Sequence, residues 1–167
     1  MFRGSFEHSI DLKGRLSIPA SFRDELTGEH KNRLMVTNFA IEGKKCLDVY
    51  PVDEWSRMLE EVRKKPKFDQ RMLMFQNYYL GAARECELDA HGRILIPPGL
   101  RKYANLRREV VLVSALEKFR VWDQEMWNQV FADAEEKLLQ DPDFLSELGI
   151  SGAMISAVTK REGEYEC

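Results

Sequence analysis

Apolar and polar residues alternate at the start of the chain. Phe6, His8 and Ile10 occupy every second position, as do Leu16 and Ile18, with polar residues between most of them. A period of two marks strands with one buried face. The two runs flank Asp11–Gly14 and predict a β-hairpin. Gly14 falls where such a turn needs positive φ, and Asp11 can accept hydrogen bonds from nearby backbone N–H groups. Pro19 suits the start of a helix, where no N–H is needed, so a short helix is expected over Ala20–Leu26. Strands at Leu34–Asn38 and Cys46–Tyr50 follow. From about Asp53 the period lengthens, placing Trp55, Met58, Leu59 and Val62 on one face of a longer helix.

The same succession then returns. Asp11-Leu12-Lys13-Gly14-Arg15-Leu16-Ser17-Ile18-Pro19 reappears 78 residues later as Asp89-Ala90-His91-Gly92-Arg93-Ile94-Leu95-Ile96-Pro97. Arg23 and Arg101 coincide at that offset. Leu47–Tyr50 with Trp55 matches Phe119–Trp122 with Trp127 at an offset of 72. Two blocks in the same order make this an internal duplication. The second copy predicts a helix over Pro98–Asn105, strands at Val110–Ser114 and Phe119–Trp122, and a helix from about Asp123. Met126, Trp127, Val130, Phe131, Ala134 and Leu138 share a face of that last helix. One such unit has too thin a core to stand alone. The expected fold is therefore α+β: two repeated hairpin–helix–strand–strand–helix units, completing each other's core as one intertwined pseudo-dimer. Its expected parts are a first half over 1–65, a connector over 66–83, a second half over 84–140 and a tail over 141–167, flexible from about Gly149. The connector's Phe68, Met72, Phe75, Tyr78 and Tyr79 suit either core packing or base stacking.

Composition narrows the chemistry. The chain of 167 residues is 44% hydrophobic and 32% charged, which is globular. No apolar run approaches a membrane span, and the N-terminus lacks the apolar stretch of a secretory signal; a cytoplasmic location is expected. Cys46, Cys86 and Cys167 are widely spaced, which indicates no disulfide framework or zinc ribbon. The net charge is −3, but residues 1–108 carry +5 and residues 109–167 carry −8. The densest basic run, Arg63-Lys64-Lys65-Pro66-Lys67, reads as a solvated helix end or as a phosphate contact. No catalytic motif or metal-ligand spacing is present, so neither catalysis, metal nor cofactor is expected.

The paired hairpins hold the candidate chemistry. Arg15 and Arg93 can each fork onto O6 and N7 of a guanine in a DNA major groove. Asp11 and Asp89, four residues earlier, can hold each guanidinium in one rotamer. Gly14 and Gly92 shape the turns, and Lys13 and His91 stand at their tips. Arg3, Arg23, Arg84 and Arg101 are candidates for phosphate contacts that position the protein. A plain surface salt bridge is the competing account of each Asp–Arg pair. Turn geometry explains a repeated glycine, but not a repeated arginine. Both arginine side chains are expected to be exposed, with Arg93 open to burial by a neighbouring subunit.

The opening MFRGSFEHSIDLKGRLSIPASFRDEL, the second DAHGRILIPPGLR and the chain length resemble the MraZ family of bacterial transcriptional regulators of the division and cell-wall gene cluster. The resemblance covers about residues 1–145, with its paired Asp-x-x-x-Arg motifs falling on Asp11/Arg15 and Asp89/Arg93. It implies an AbrB-like swapped-hairpin fold and binding to double-stranded DNA through these motifs. It further implies ring-shaped homo-oligomers, promoter targets with tandem short G-rich repeats, and association with the nucleoid. The alternative is an antitoxin-like oligomeric module whose acidic half binds a partner protein.

Overall fold

The first alternating runs form β1 (Ser5–Ser9) and β2 (Arg15–Ser17), followed by α1 (Ala20–Asp24), β3 (Arg33–Ile41), β4 (Lys44–Pro51) and α2 (Val52–Arg63). The connector holds α3 (Gln70–Phe75), which runs into a π-helical turn over Gln76–Leu80. The second half repeats the order with β5 (Arg84–Glu87), β6 (Arg93–Leu95), α4 (Pro98–Tyr103), β7 (Glu109–Ala115), β8 (Lys118–Asp123) and α5 (Gln124–Leu139). A further helix, α6 (Pro142–Glu147), follows where only tail was expected. This computed structural model describes residues 1–150, so the expected flexibility of residues 151–167 lies outside the described residues.

Pairing crosses between the halves. β1 and β2 share one bridge, Ile10 to Leu16, and then part. β1 pairs with β7 of the second half, placing Phe6 opposite Leu112. β5 pairs reciprocally with β3 of the first half, placing Leu34 opposite Cys86. The result is a six-stranded antiparallel sheet in the order β1-β7-β8-β4-β3-β5, and a separate β2-β6 ribbon. This is the AbrB-like swapped-hairpin arrangement. Neither half owns a closed sheet, because the thin core of one unit is completed by the strands of the other.

The pairing register locates a pseudo-two-fold axis. Leu16 lies opposite its repeat equivalent Ile94 in the ribbon, and Asp48 lies opposite its equivalent Arg120 in the sheet. Leu16 and Ile94 are fully buried, and between ribbon and sheet lie Phe22, Leu34, Val36, Ile96, Leu112 and Phe119. Phe2, Phe6 and Phe119 gather round Phe22 with centroids 5.0–5.2 Å apart. Each such buried side chain contributes roughly 1.5–3 kcal/mol. Pro19 and Pro97 cap α1 and α4 at φ near −50°, turning the chain from ribbon to helix.

The connector packs through a second cluster. Tyr50, Trp55 and Tyr79 are buried together, with Phe75 stacked on Tyr79. The π-helical turn frees backbone carbonyls. Asn38 Nδ2 donates to the Tyr78 carbonyl at 3.0 Å and Thr37 Oγ1 to that of Tyr79, which satisfies two buried polar side chains of β3. Phe68, in contrast, is exposed.

Residues Met1–Met126 form one compact unit, and the described residues from Trp127 onward belong to another. All of the intertwined pairing lies in the first. The second contains most of α5 and all of α6. The stripe expected on α5 is present in the sequence but has no buried residue, and Phe131 is 57% exposed. α2 differs: its Trp55 is buried.

Candidate nucleic-acid interface

Two short turns, one per half, repeat the same geometry atom for atom. In the first, Gly14 N donates to the Asp11 carbonyl at 2.9 Å and Asp11 N to the Arg15 carbonyl at 3.0 Å. Asp11 Oδ1 accepts from the backbone N–H groups of Lys13 and Arg15, each at 2.9 Å. Its other oxygen accepts from Arg15 Nε at 2.6 Å. In the second, Asp89 Oδ1 accepts from the N–H groups of His91 at 2.8 Å and Arg93 at 3.0 Å. Its Oδ2 accepts from Arg93 Nε at 2.9 Å. The aspartate is thus both the template of the turn and the holder of the arginine. These bonds favour the charged carboxylate, the backbone N–H of the arginine most strongly, and hold Asp11 and Asp89 below the usual carboxylate range.

Each arginine is gripped at Nε alone. Among the described residues, the terminal Nη atoms of Arg15 and Arg93 meet no hydrogen-bond partner. A guanidinium held in this way keeps one edge for an outside acceptor. The side chains are 33% and 28% exposed, partly covered where exposed side chains were expected. The physical reason is the ion pair, which folds each guanidinium back on its own turn.

The ribbon sets the two arginines relative to each other. Arg15 stands opposite Leu95 and Ser17 opposite Arg93, while Leu16 and Ile94 face the core. Arg15 and Arg93 therefore lie on one face, at diagonal positions that are roughly 7–8 Å apart in an antiparallel pair. Lys13 and His91 are exposed at the tips, and Leu12 projects fully into solvent.

Each turn is braced by the other half. Ile96 N donates to the Gly14 carbonyl at 3.0 Å and Ile18 N to the Gly92 carbonyl at 2.9 Å. Gly14 and Gly92 have φ of +86° and +71°. A Cβ at Gly14 would sit 2.6 Å from Arg101 Cζ, and one at Gly92 would sit 2.7 Å from Arg23 Cζ. Glycine is needed twice over, for the backbone angle and for the room taken by an arginine from the opposite short helix. The repeat marks Arg23 and Arg101 as equivalents; only the fold shows that each serves the other half's turn.

The remaining sequence candidates separate. Arg3 lies beyond the end of β1 remote from the turn and acts electrostatically on Glu25. Arg84 donates to the carbonyls of Gly81 and Ala83. Two arginines that sequence reasoning missed, Arg107 and Arg108, line a cleft of about 610 Å³ with Asp11, Leu12 and Arg101. Arg107 is paired with Asp123 at 2.9 Å and Glu125 at 2.8 Å. Their signal was adjacent basic residues just before a strand, which becomes informative only when β1 is known to pair there. Cys46 and Cys86 are buried, and burial pushes both thiols up, Cys86 to about 11. His8 is half-buried, with its pKa lowered by desolvation. Among the described residues, no group of three His, Cys, Asp or Glu is placed to hold a metal, and no helix is long and apolar enough to cross a membrane.

The swapped sheet, with its two equivalent arginine turns on one ribbon, defines a two-repeat AbrB-like protein carried in a single chain. A family model described as "MraZ protein, putative antitoxin-like" matches residues 1–77 and again 79–144. Proteins named transcriptional regulator MraZ from Pseudomonas putida and Pseudomonas fluorescens are each 42% identical over 142 residues, covering 85% of this chain and 92% of theirs. That of Pseudomonas aeruginosa is 40% identical over 147 residues, covering 88% and 95%. The chain belongs to the MraZ family.

Proposed function

We propose that this chain is a transcriptional regulator that binds double-stranded DNA sequence-specifically through its two Asp-x-x-x-Arg turns. The observation that carries the reading is the pair of half-held guanidinium groups. Arg15 and Arg93 are fixed at Nε, keep their Nη atoms without hydrogen-bond partners among the described residues, and stand on one face of the β2-β6 ribbon. A two-stranded ribbon fits the major groove, and a pre-oriented arginine loses little freedom on reaching guanine N7 and O6. Lys13, His91, Arg23 and Arg101 surround the turns and supply phosphate contacts. The relatives' shared name, transcriptional regulator, supports the same role for this chain.

A net-acidic chain can bind DNA in this way because the positive charge is local. A ring of copies would present the turns repeatedly, so that weak contacts to tandem G-rich boxes add through effective concentration. The operator would include the promoter of the chain's own division and cell-wall gene cluster, and the working location is the cytoplasm at the nucleoid.

Fluorescence anisotropy on a fragment from upstream of the chain's own gene tests the reading. The wild type should bind it more tightly than scrambled DNA, and binding should weaken steeply with salt. Arg15→Ala/Arg93→Ala should abolish the preference while remaining folded. A double variant that keeps full preference would sink the proposal. Salt-insensitive activity that depends on the acidic C-terminal region would instead favour a partner-binding, antitoxin-like module.

A further inference from the structure

The cleft of about 610 Å³ beside the first turn has apolar walls, Ile10, Leu12 and Leu106, and three arginines at its edge. Their charges are not equally available. Arg107 is taken by Asp123 and Glu125, so it braces the loop before β7. Asp11, the cleft's own carboxylate, is taken by Arg15. Arg101 has no ion-pair partner among the described residues, and its Nε donates to the Ile96 carbonyl at 3.1 Å. Arg108 is 82% exposed, and its contact with Glu109, at 3.4 Å, lies in solvent, where such a pair is weak. The cleft thus offers an anion two guanidinium groups, those of Arg101 and Arg108. Ile10 N donates to the Arg108 carbonyl at 2.8 Å, which ties Arg108 to the chain just ahead of Asp11.

The second turn has the same backbone and different side chains. Leu88 N donates to the Asn32 carbonyl at 2.7 Å, so Asn32 is the equivalent of Arg108. Ser9 pairs with Glu109 in one ladder, and its equivalent Glu87 pairs with Arg33 in the other. Asn32 Nδ2 donates to the Glu87 carboxylate at 2.8 Å. Arg33 forks onto Glu85 through Nε and Nη2, each at 2.7 Å. Lys31, in the place of Arg107, supplies a point charge there and no planar fork. A guanidinium beside a hydroxyl on the first shoulder is replaced by an amide beside a carboxylate on the second.

We infer that the cleft binds a backbone phosphate of the DNA through Arg101 and Arg108, beside the bases that Arg15 reads, and that the second turn lacks this contact. Guanidinium groups match phosphate oxygens in charge and geometry. The contact carries no sequence information; it seats the turn. It also gives the chain a direction. Two turns alike in backbone and in reading arginine would accept DNA either way round, and one extra phosphate contact decides which turn meets which end of a box. The inference rests on the DNA reading of the proposed function and adds a positioning site to it.

Anisotropy over a salt series, on operator and on scrambled DNA, tests it. All the residues changed are exposed. Arg108→Gln should weaken both DNAs by the same factor. The slope of log affinity against log salt should fall by about one for each chain bound. Arg108→Lys keeps the charge and should keep the slope. Asn32→Arg/Glu87→Ser copies the first shoulder onto the second and should steepen it. Ethylation interference should find a blocking phosphate at one end of each box for the wild type, and lose it for Arg108→Gln. An unchanged slope in Arg108→Gln would overturn the site. So would a loss confined to the operator, which marks a base contact. Blocking phosphates at both ends of a box would overturn the inequality of the two turns. A free phosphate ester is the other source of the same chemistry. Adenosine monophosphate, titrated by calorimetry without DNA, should bind the wild type and Arg108→Gln alike; saturable binding lost in the variant would overturn the DNA source. A wild type with no operator preference, but with the Arg108-dependent slope, would overturn the guanine reading and uphold the cleft.

Discussion

Asp48 and Arg120 are the same position in the two repeats, and they form an ion pair with each other at 2.9 Å across the pseudo-two-fold axis. In a dimer of identical halves this position would face its own copy, and any charge there would meet a like charge. Carrying both halves in one chain removes that restriction. The Asp48 carboxylate is fully buried, and it also accepts from Lys118 at 3.0 Å and from the Tyr79 hydroxyl at 2.6 Å. Tyr79 belongs to the connector, so this one group ties both halves and the segment between them.

Arg120→Asp should therefore be worse than Arg120→Ala, since it recreates the like-charge pairing of identical halves. Breaking a buried pair costs about 3–5 kcal/mol where the remaining charge is uncompensated. With Lys118 and Tyr79 still in place, Arg120→Ala should lie below that range. Urea midpoints of the two variants at neutral pH give the ranking; equal midpoints would remove the axis argument.

At the turns, Gly14→Ala should destabilise through two separable effects. The positive φ costs an L-residue about 1–2 kcal/mol, and the new methyl displaces Arg101. Arg101→Ala in the same chain should relieve the second effect and not the first. A double-mutant cycle on thermal or urea unfolding measures the coupling, and strict additivity would deny the contact. Gly92 and Arg23 should behave alike.

The aspartates give the turns a pH dependence. Asp11 and Asp89 have folded pKa values depressed below the ordinary 3.8. Their contribution is complete above the unfolded value, near pH 4, and is lost as the pH falls through the folded one. Arg15 and Arg93 Nε–H resonances should thus keep their turn environment at pH 5 and lose it only as the pH falls below the ordinary aspartate range. In Asp11→Asn the Arg15 signal should stop responding to acid. Survival of that response would assign the titration elsewhere.

Much of this architecture was legible because its causes are local. Alternation at Phe6–Ile10, the proline starts at Pro19 and Pro97 and the repeated Asp–Gly–Arg are short-range signals, and the elements they mark lie within a few residues of where expected. What escaped depends on distant partners. Nothing near Ile10 says that β1 will leave β2 for β7, and nothing near Arg101 says that it will lie against Gly14. The π-helical turn is met by Thr37 and Asn38 of β3, which donate to two of its carbonyls across a long stretch of sequence. The exposure of the α5 stripe is likewise invisible to periodicity, which reports a face without saying what covers it. The arginines of the site were found from repetition, and their half-buried, ion-paired state was not, because pairing geometry needs the closed turn.

Replacing Arg15 by Lys should separate charge from geometry. Lysine keeps the phosphate attraction but cannot form the planar fork. Affinity for scrambled DNA should change little, while discrimination should fall by about 1–3 kcal/mol, roughly five- to 150-fold. Competition binding against operator and scrambled fragments reads this directly, and unchanged discrimination would deny Arg15 a role in base recognition.

Guanine recognition by Arg15 and Arg93 is the step on which the proposed function stands. The most direct test is binding to an operator in which the guanines of the repeated boxes are replaced by 7-deazaguanine, which lacks only the N7 acceptor. Wild-type binding should weaken by about tenfold or more, and Arg15→Ala/Arg93→Ala, already without preference, should not distinguish the two DNAs. Wild-type binding that ignores the substitution would contradict guanine readout by these two turns.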